Sequence, residues 1–269
     1  MEEKIKIEWP TVLFMIVVHI FAIVALQPQY WSWGSVGVFL ILYWVTACLG
    51  VTLGYHRLLS HRAFKVPRWL ERFFATCGAL SAEYGPIDWV GLHRQHHKFS
   101  DTELDPHNIH RGFLWSHIGW MMVKTPGLKE VPKYTLDMRK DPYYRWLHKY
   151  YVWLQLPLGL LLYSLGGWAF VLWGIPLRLA VVYHVTWTVN SVTHTWGTQP
   201  HDSGDESKNN KWVAAFTFGE GWHNNHHQYP SSAKQGFLRG QIDLTWYHIL
   251  LLKKLGLAKD IKNHNRILE

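Results

Sequence analysis

Apolar and strongly polar segments alternate along this chain. Thr11 to Gln27 is nearly all apolar, with His19 as its one strongly polar interruption. Extended to about residues 9–28, the run is long enough to cross a bilayer as a helix at ~1.5 Å per residue. Pro28-Gln-Tyr-Trp-Ser-Trp33 reads as a short interfacial turn, and a second apolar run follows at about 35–54. The two predict a helical hairpin. Residues 55–149 are polar, with two apolar patches, Phe73 to Leu80 and Gly112 to Met122. Each is short for a span and predicts a helix on or near the membrane face. Pro126, Pro132 and Pro142 break the stretch that follows. A third span is predicted at about 150–167 and a fourth at about 175–195, with Gly174-Ile-Pro176 breaking the apolar link between them. Residues 196–269 are polar, apart from the amphipathic stretch Ile242 to Leu252. The pattern predicts an all-α, multi-pass integral membrane protein: four transmembrane helices and a helical cap built from 55–149 and 196–269, all in one domain over 1–269.

Composition changes this picture little, but charge orients it. Mean hydropathy is only −0.09, because polar and apolar segments average out. Seventeen Trp and 13 Tyr suit a chain with long polar–apolar boundaries. Of the 27 Lys and Arg, two precede the first span, 15 lie from Arg57 to Lys149, and nine lie from Lys208 to Arg266. Only Arg178 falls near the far side. The positive-inside rule then puts both termini and the polar cap in the cytoplasm. Net charge is +8, yet there is no nucleic-acid motif and no basic tail, so an anionic membrane surface is the better partner. Cys48 and Cys77 lie in apolar surroundings and predict two buried free thiols. The N-terminal residues lack the character of a transit peptide, so the first apolar segment is expected to be retained.

The chemistry lies in histidines. His93, His96 and His97 fall at i, i+3 and i+4, on one face of a helix. His223, His226 and His227 repeat the spacing. A looser pair, His56 and His61, stands five apart, about 140° around an α-helix, which predicts service to different metals. A lone histidine is usually a packed residue; the same triplet occurring twice is not an ordinary packing pattern. Eight imidazoles exceed the roughly four ligands of one zinc site and suit two metals. Asn190 and His194, an i, i+4 pair level with the clusters, are further candidates. Nitrogen ligands without thiolates suit Zn, Cu, Fe or Ni, and a pair of them beside a bilayer suggests oxygen-activating iron. The Glu-x-x-His pattern of soluble di-iron bundles occurs once, at Glu220–His223, and not twice. A zinc-protease His-Glu-x-x-His, a Gly-x-Ser-x-Gly elbow and a dinucleotide fingerprint are all absent from the sequence. Electrons must then come from a separate protein.

The boxes His56-Arg-Leu-Leu-Ser-His61, His93-Arg-Gln-His-His97 and His223-Asn-Asn-His-His227 resemble those of membrane fatty-acid desaturases. The resemblance covers nearly the whole chain, including Asp105-Pro-His-Asn108, Arg111-Gly-Phe113, Thr186-Trp187 and Gly219-Glu-Gly221. It implies two iron ions held by the eight box histidines and His194, with Asn190 approaching one iron through water, and molecular oxygen as co-substrate. Pro86-Ile-Asp-Trp-Val90 resembles the Δ9 branch of short cyanobacterial and plant forms. Gly91 and Leu92 stand where animal acyl-CoA desaturases carry an Arg-Asp pair, which implies a membrane lipid acyl chain rather than acyl-CoA. The expected reaction is Δ9 cis-desaturation of stearoyl or palmitoyl chains, with ferredoxin as donor and cytochrome b5 as the alternative. Trp89, Thr186 and Trp187 match tunnel-bend positions, and Glu83 replaces the usual Gln there. Trp44 and Cys48, one turn apart, are candidates for the tunnel floor. Rival readings are an acyl-CoA desaturase, a hydroxylase on the same scaffold, and a membrane metal-handling protein. The last requires histidines along the spans, where only His19 and His184 lie.

Overall fold

The computed structural model describes residues 6–124 and 130–264, so the N-terminal residues 1–5, Pro126 and Arg266 lie outside the described residues. Helices account for the architecture; the described residues form isolated β-bridges but no strand. In chain order the main ones are α1 (Trp9–Ala25), α2 (Trp33–Ser60), α3 (Arg68–Ala79), α4 (Pro86–Phe99), α5 (Phe113–His117), α6 (Pro142–Tyr150), α7 (Gln155–Leu172), α8 (Arg178–Ser191), α9 (Lys211–Phe216), α10 (His223–Gln228) and α11 (Leu244–Lys254). Two helical stretches, Trp33–Ser60 and Pro142–Ser191, are long and apolar enough to cross a membrane. Helix α1 is apolar apart from His19 but shorter, at 17 residues.

Helix α2 does not stop near residue 54. It runs on to Ser60, and from Trp44 its winding widens to i→i+5 bonding, a π-helix. The last such bonds carry His61 N–H to the His56 carbonyl (3.1 Å). Wide winding of this kind is rare and concentrates at functional sites.

The stretch Pro142–Ser191 is a hairpin. Gly166 and Gly167 leave helical geometry, and Gly167 takes φ +62°, a conformation open to glycine at no steric cost. Beyond the turn the chain packs back on itself: a Cβ on Gly174 would meet Leu162 Cδ1 at 2.6 Å, and one on Gly159 would meet Ile175. The predicted break at Gly174-Ile-Pro176 is therefore not a break. A second patch of wide winding over Trp173–Leu177 absorbs Pro176, whose missing N–H leaves no bond to lose there, and the helix continues into α8. The fourth apolar helix thus begins near Trp168, earlier than the predicted 175. Arg178, expected near the far side, is buried: its guanidinium donates to the carbonyls of Gly174 (3.0 Å) and Leu80 (2.5 Å) and to Gln155 Oε1 (3.0 Å).

The patch Phe73–Leu80 falls in α3, which packs tightly along α2 rather than lying free on a surface. At Gly50 a Cβ would collide with the backbone of Cys77 and Gly78, so only glycine permits that approach. The amphipathic stretch 242–252 becomes α11, and Thr245 on it bonds Thr52 of α2 (2.7 Å). Cys48 and Cys77 are both free and buried. The start of α1 is tied down by Glu8 N–H to the Met122 carbonyl (2.8 Å). Arg94 of α4 bonds the Leu59 and Ser60 carbonyls and Asp137, fixing the end of α2 against α4.

Candidate metal centre

Four segments bring nine histidines together. The wide turn of α2 ends in His56 and His61; α4 presents His93, His96 and His97 on one face; His194 follows α8; α10 carries His223, His226 and His227. They divide into two groups, each with its nitrogens within 4.8 Å of one another: His56, His61, His93, His97 and His226, and His96, His194, His223 and His227. The sequence expectation that His56 and His61 diverge is corrected here. Bonding at i→i+5 stacks residues five apart, so their ring centroids lie 4.8 Å apart and both belong to the first group.

The Nε2 atoms face inward. His61 and His93 approach to 2.7 Å, His97 and His226 to 2.9 Å, His56 and His226 to 3.0 Å, His194 and His223 to 3.0 Å, and His96 and His227 to 3.2 Å. Four of these rings have their outer nitrogen committed to a carboxylate. His56 Nδ1 reaches Glu220 (2.5 Å), His96 reaches Asp105 (2.9 Å), His194 reaches Asp101 (3.0 Å) and His227 reaches Asp205 (2.5 Å). A neutral imidazole has one N–H. If Nδ1 donates, Nε2 is a bare lone pair. His96 and His227 then turn two lone pairs toward one point with their Nε2 atoms 3.2 Å apart, an arrangement that suits a cation bound by both. Carboxylate–histidine pairs of this kind set the tautomer and orientation of metal ligands. The donor set, nine imidazoles and no thiolate, fits borderline transition ions such as iron.

Electrostatics agree. Burial, followed by the neighbouring imidazoles, holds His61, His93, His97, His223 and His226 well below the ordinary imidazole range, so they are neutral and able to ligate. Burial likewise drives His227 down to about 4 despite Asp205. His96 is the exception: burial would lower it, but Asp105, Asp101 and Asp205 together raise it. Burial works against ionisation of Asp105 and Glu220, yet His96 and His107 for the first, and His56 and Arg57 for the second, keep both carboxyls ionised and well below the usual range. Arg57 is 1% exposed and bridges Glu220 (2.9 Å) to Asp243 (2.9 Å).

These carboxylates were not assigned a role from sequence. Asp101 and Asp105 lie just after the second box and Asp205 lies in the 197–210 loop, positions without helical spacing to flag them. Glu220 was visible as one Glu-x-x-His; its partner is His56, on another helix.

Two cavities meet at the centre. One, about 310 Å³, runs from Pro10, Phe14 and Val152 past Glu83 and Tyr183 to His93 and Asn190. The other, about 60 Å³, continues among Ala47, Val51, Val185 and Thr217. Trp89, His93, Thr186 and Asn190 line both, where the two meet, and Trp187 lines the larger. Trp89 stacks on His93 at 5.2 Å. Its indole N–H donates to Glu83 Oε2 (3.2 Å), while Glu83 Oε1 is buried with no partner. Burial pushes the Glu83 carboxyl up to about 7, against the Thr186 and Trp89 hydrogen bonds. A protonated acid resolves the cost of a carboxylate beside an apolar space.

Trp44 and Cys48 do not line the smaller cavity. Trp44 donates to His248 (3.0 Å), and Cys48 lies 3.9 Å from Thr245, both on α11. That face of α2 lies against α11, and Ala47 and Val51 line the cavity instead.

The sequence family described as fatty acid desaturase matches residues 31–264. The chain is 51% identical to an sn-1 stearoyl-lipid 9-desaturase of Anabaena variabilis, over 96% of this chain and 95% of that one. It is 46% identical to an sn-2 palmitoyl-lipid 9-desaturase of Nostoc, over 95% and 90%. An acyl-CoA C20 Δ5-desaturase of Anemone leveillei is 44% identical, over 93% and 80%. A histidine-lined centre beside a largely apolar cavity, together with these matches, makes the chain a member of the fatty acid desaturase family.

Proposed function

We propose that this chain is an acyl-lipid Δ9 desaturase, a single domain over 1–269 with four spans and its metal centre on the cytoplasmic side. The 51% identity to a stearoyl-lipid 9-desaturase over nearly all of both chains supports the substrate and position. The apolar helices α1 and α2 and the two arms of the hairpin turning at Gly166–Gly167 support four spans, and the distribution of Lys and Arg supports the cytoplasmic side.

The observation that carries the reading is the set of opposed imidazole nitrogens at the bend of an apolar cavity. Two irons suit the two histidine groups, His56, His61, His93, His97 and His226 for one and His96, His194, His223 and His227 for the other, with Asn190 as a further, water-mediated partner. Bound iron supplies the oxidising power drawn from molecular oxygen and two external electrons, which an unactivated methylene needs because it offers acid–base groups no handle. The protein's own task is placement. Trp89, held by Glu83 and stacked on His93, and Thr186 form the corner that bends the acyl chain. Apolar walls exclude water. Ala47 and Val51 lie where the methyl end would stop. A ferredoxin is the donor expected of this branch, with cytochrome b5 as the alternative.

Expression in a host lacking unsaturated lipids, followed by double-bond mapping, tests the reading. The expected product is a cis-Δ9 chain esterified to membrane lipid; a hydroxylated product or a double bond at another position sinks it. Ala47→Phe is expected to shift the product toward shorter chains, and Trp44→Ala to leave chain length unchanged, both read by gas chromatography of the fatty acids.

A further inference from the structure

A third cavity, about 600 Å³, lies outside the metal centre, between α1, the start of α7 and the returning arm of the hairpin. Val17, Phe21 and Val24 of α1 form one wall; Leu156 and Val171 face them. Phe14 and Val152 belong both to this groove and to the cavity that leads to the metal centre, so the two spaces share one partition. From Phe14 to Val24 the groove follows ten residues of helix, ~15 Å at 1.5 Å per residue. That is about half of a ~30 Å hydrocarbon core, the depth of one leaflet.

The groove's chemistry narrows its occupant. Its one side-chain amide, Gln155, is already engaged: it donates to the Leu80 carbonyl (3.0 Å) and accepts from Arg178 (3.0 Å). No charged side chain lines it, and besides Gln155 only the Tyr30 hydroxyl and the Trp153 and Trp168 indoles are polar, so hydrocarbon is the better match for its methyls and rings. On the reading proposed above, the substrate is a lipid that carries two acyl chains on neighbouring glycerol carbons. When one chain threads past Phe14 toward the centre, its sibling must leave the glycerol within a few ångströms of that point.

We propose that this groove holds the second, non-reacting acyl chain of the diacyl lipid, with Phe14 and Val152 parting the two chains. The inference rests on the acyl-lipid reading and adds to it the whole two-chain lipid as the recognised unit. The groove then favours diacyl over single-chain substrates by apolar burial along α1. It also makes the site accessible from the bilayer and not only from water.

The test uses membranes containing the full chain and two probes with one head group, distearoyl phosphatidylglycerol and its 1-stearoyl lyso form. Val17→Trp fills the groove from α1, where Val17 is 50% exposed and does not line the metal cavity. Val171→Trp fills it from the opposite wall. Ile20→Trp, on the exposed α1 surface outside the groove, is the control. The two filling variants are expected to lower the ratio of diacyl to lyso turnover by about tenfold, a 1.4 kcal/mol loss, while the control leaves the ratio unchanged. An unchanged ratio in both filling variants overturns the inference. So does an equal fall in both rates, which marks a structural lipid, a second copy of the chain or a damaged fold. Unmodified enzyme that desaturates stearoyl-CoA but neither lipid overturns the acyl-lipid reading itself, and this inference with it.

Discussion

The two histidine groups are not copies of each other. The group of four (His96, His194, His223, His227) is backed by three aspartates, Asp101, Asp105 and Asp205, each bonded to a different ring of the group. The group of five is backed by one carboxylate, Glu220, which also serves the buried guanidinium of Arg57. His226, at the heart of the five, keeps a buried Nδ1 without a partner. One histidine group is thus surrounded by ionised carboxylates, and the other mainly by neutral rings. Carboxylate backing raises ligand basicity and favours a more positive ion, so on the two-iron reading proposed above the four-histidine group should hold its metal harder. The five-histidine position compensates by ligand number and is tied to the fold through Arg57.

The largest expected effect removes one ligand from each group. His96→Ala and His226→Ala should each abolish measurable desaturation, a loss on the order of 10³ or more, as expected when a metal centre loses its integrity. Membrane insertion should be intact, and iron analysis should show which position empties. Retained activity in either variant would remove that residue from the ligand set.

Next come the carboxylates. Asp205→Asn should weaken retention of one iron by about 10–100-fold, read as the rate of loss to a chelator, with little change in thermal stability. Glu220→Gln should weaken retention similarly and also lower stability, because it leaves the buried Arg57 charge with Asp243 as its remaining carboxylate. If both variants lost stability equally, the asymmetry between the groups would be wrong.

The smallest effect is on pH. In metal-free protein the five strongly lowered histidines bind protons more readily unfolded than folded, so stability should fall as pH drops below about 6.5. His96, raised in the fold, works oppositely: its contribution is present at low pH and lost as pH rises. His61→Asn should flatten the acid decline of the melting temperature, and His96→Asn should steepen it, each by a few degrees. The same slope in both variants would show that the groups do not differ in this way.

Much of the site was legible because its ligands sit in short helical repeats. A spacing of i, i+3, i+4 fixes side chains to one face whatever the rest of the chain does, so the faces of α4 and α10 could be assigned directly. The apolar helices were legible because hydrocarbon length is a fixed ruler, although the boundary between the third and fourth slipped where Gly166–Gly167, and not Pro176, makes the turn. His56 and His61 were misplaced for a definite reason: a composition that suits an α-helix does not reveal that its hydrogen bonds have shifted by one residue. Trp44 and Cys48 were misplaced because the packing of α11 against α2, which no local spacing reveals, covers that face and leaves Ala47 and Val51 at the cavity.

What the chain determined alone is the inventory: four apolar helical lengths, two polar segments, and three histidine boxes whose local spacing already aims their rings. What only tertiary structure decided is the company each ring keeps. Asp101, Asp105, Asp205 and Glu220 reach their histidines from loops and across sequence separations of up to 164 residues (56 to 220), where no local periodicity constrains them. Which imidazoles share an ion follows from the winding of α2 and the packing of α4 and α10 against it. These depend on backbone hydrogen bonds and close glycine contacts that form only when the helices meet.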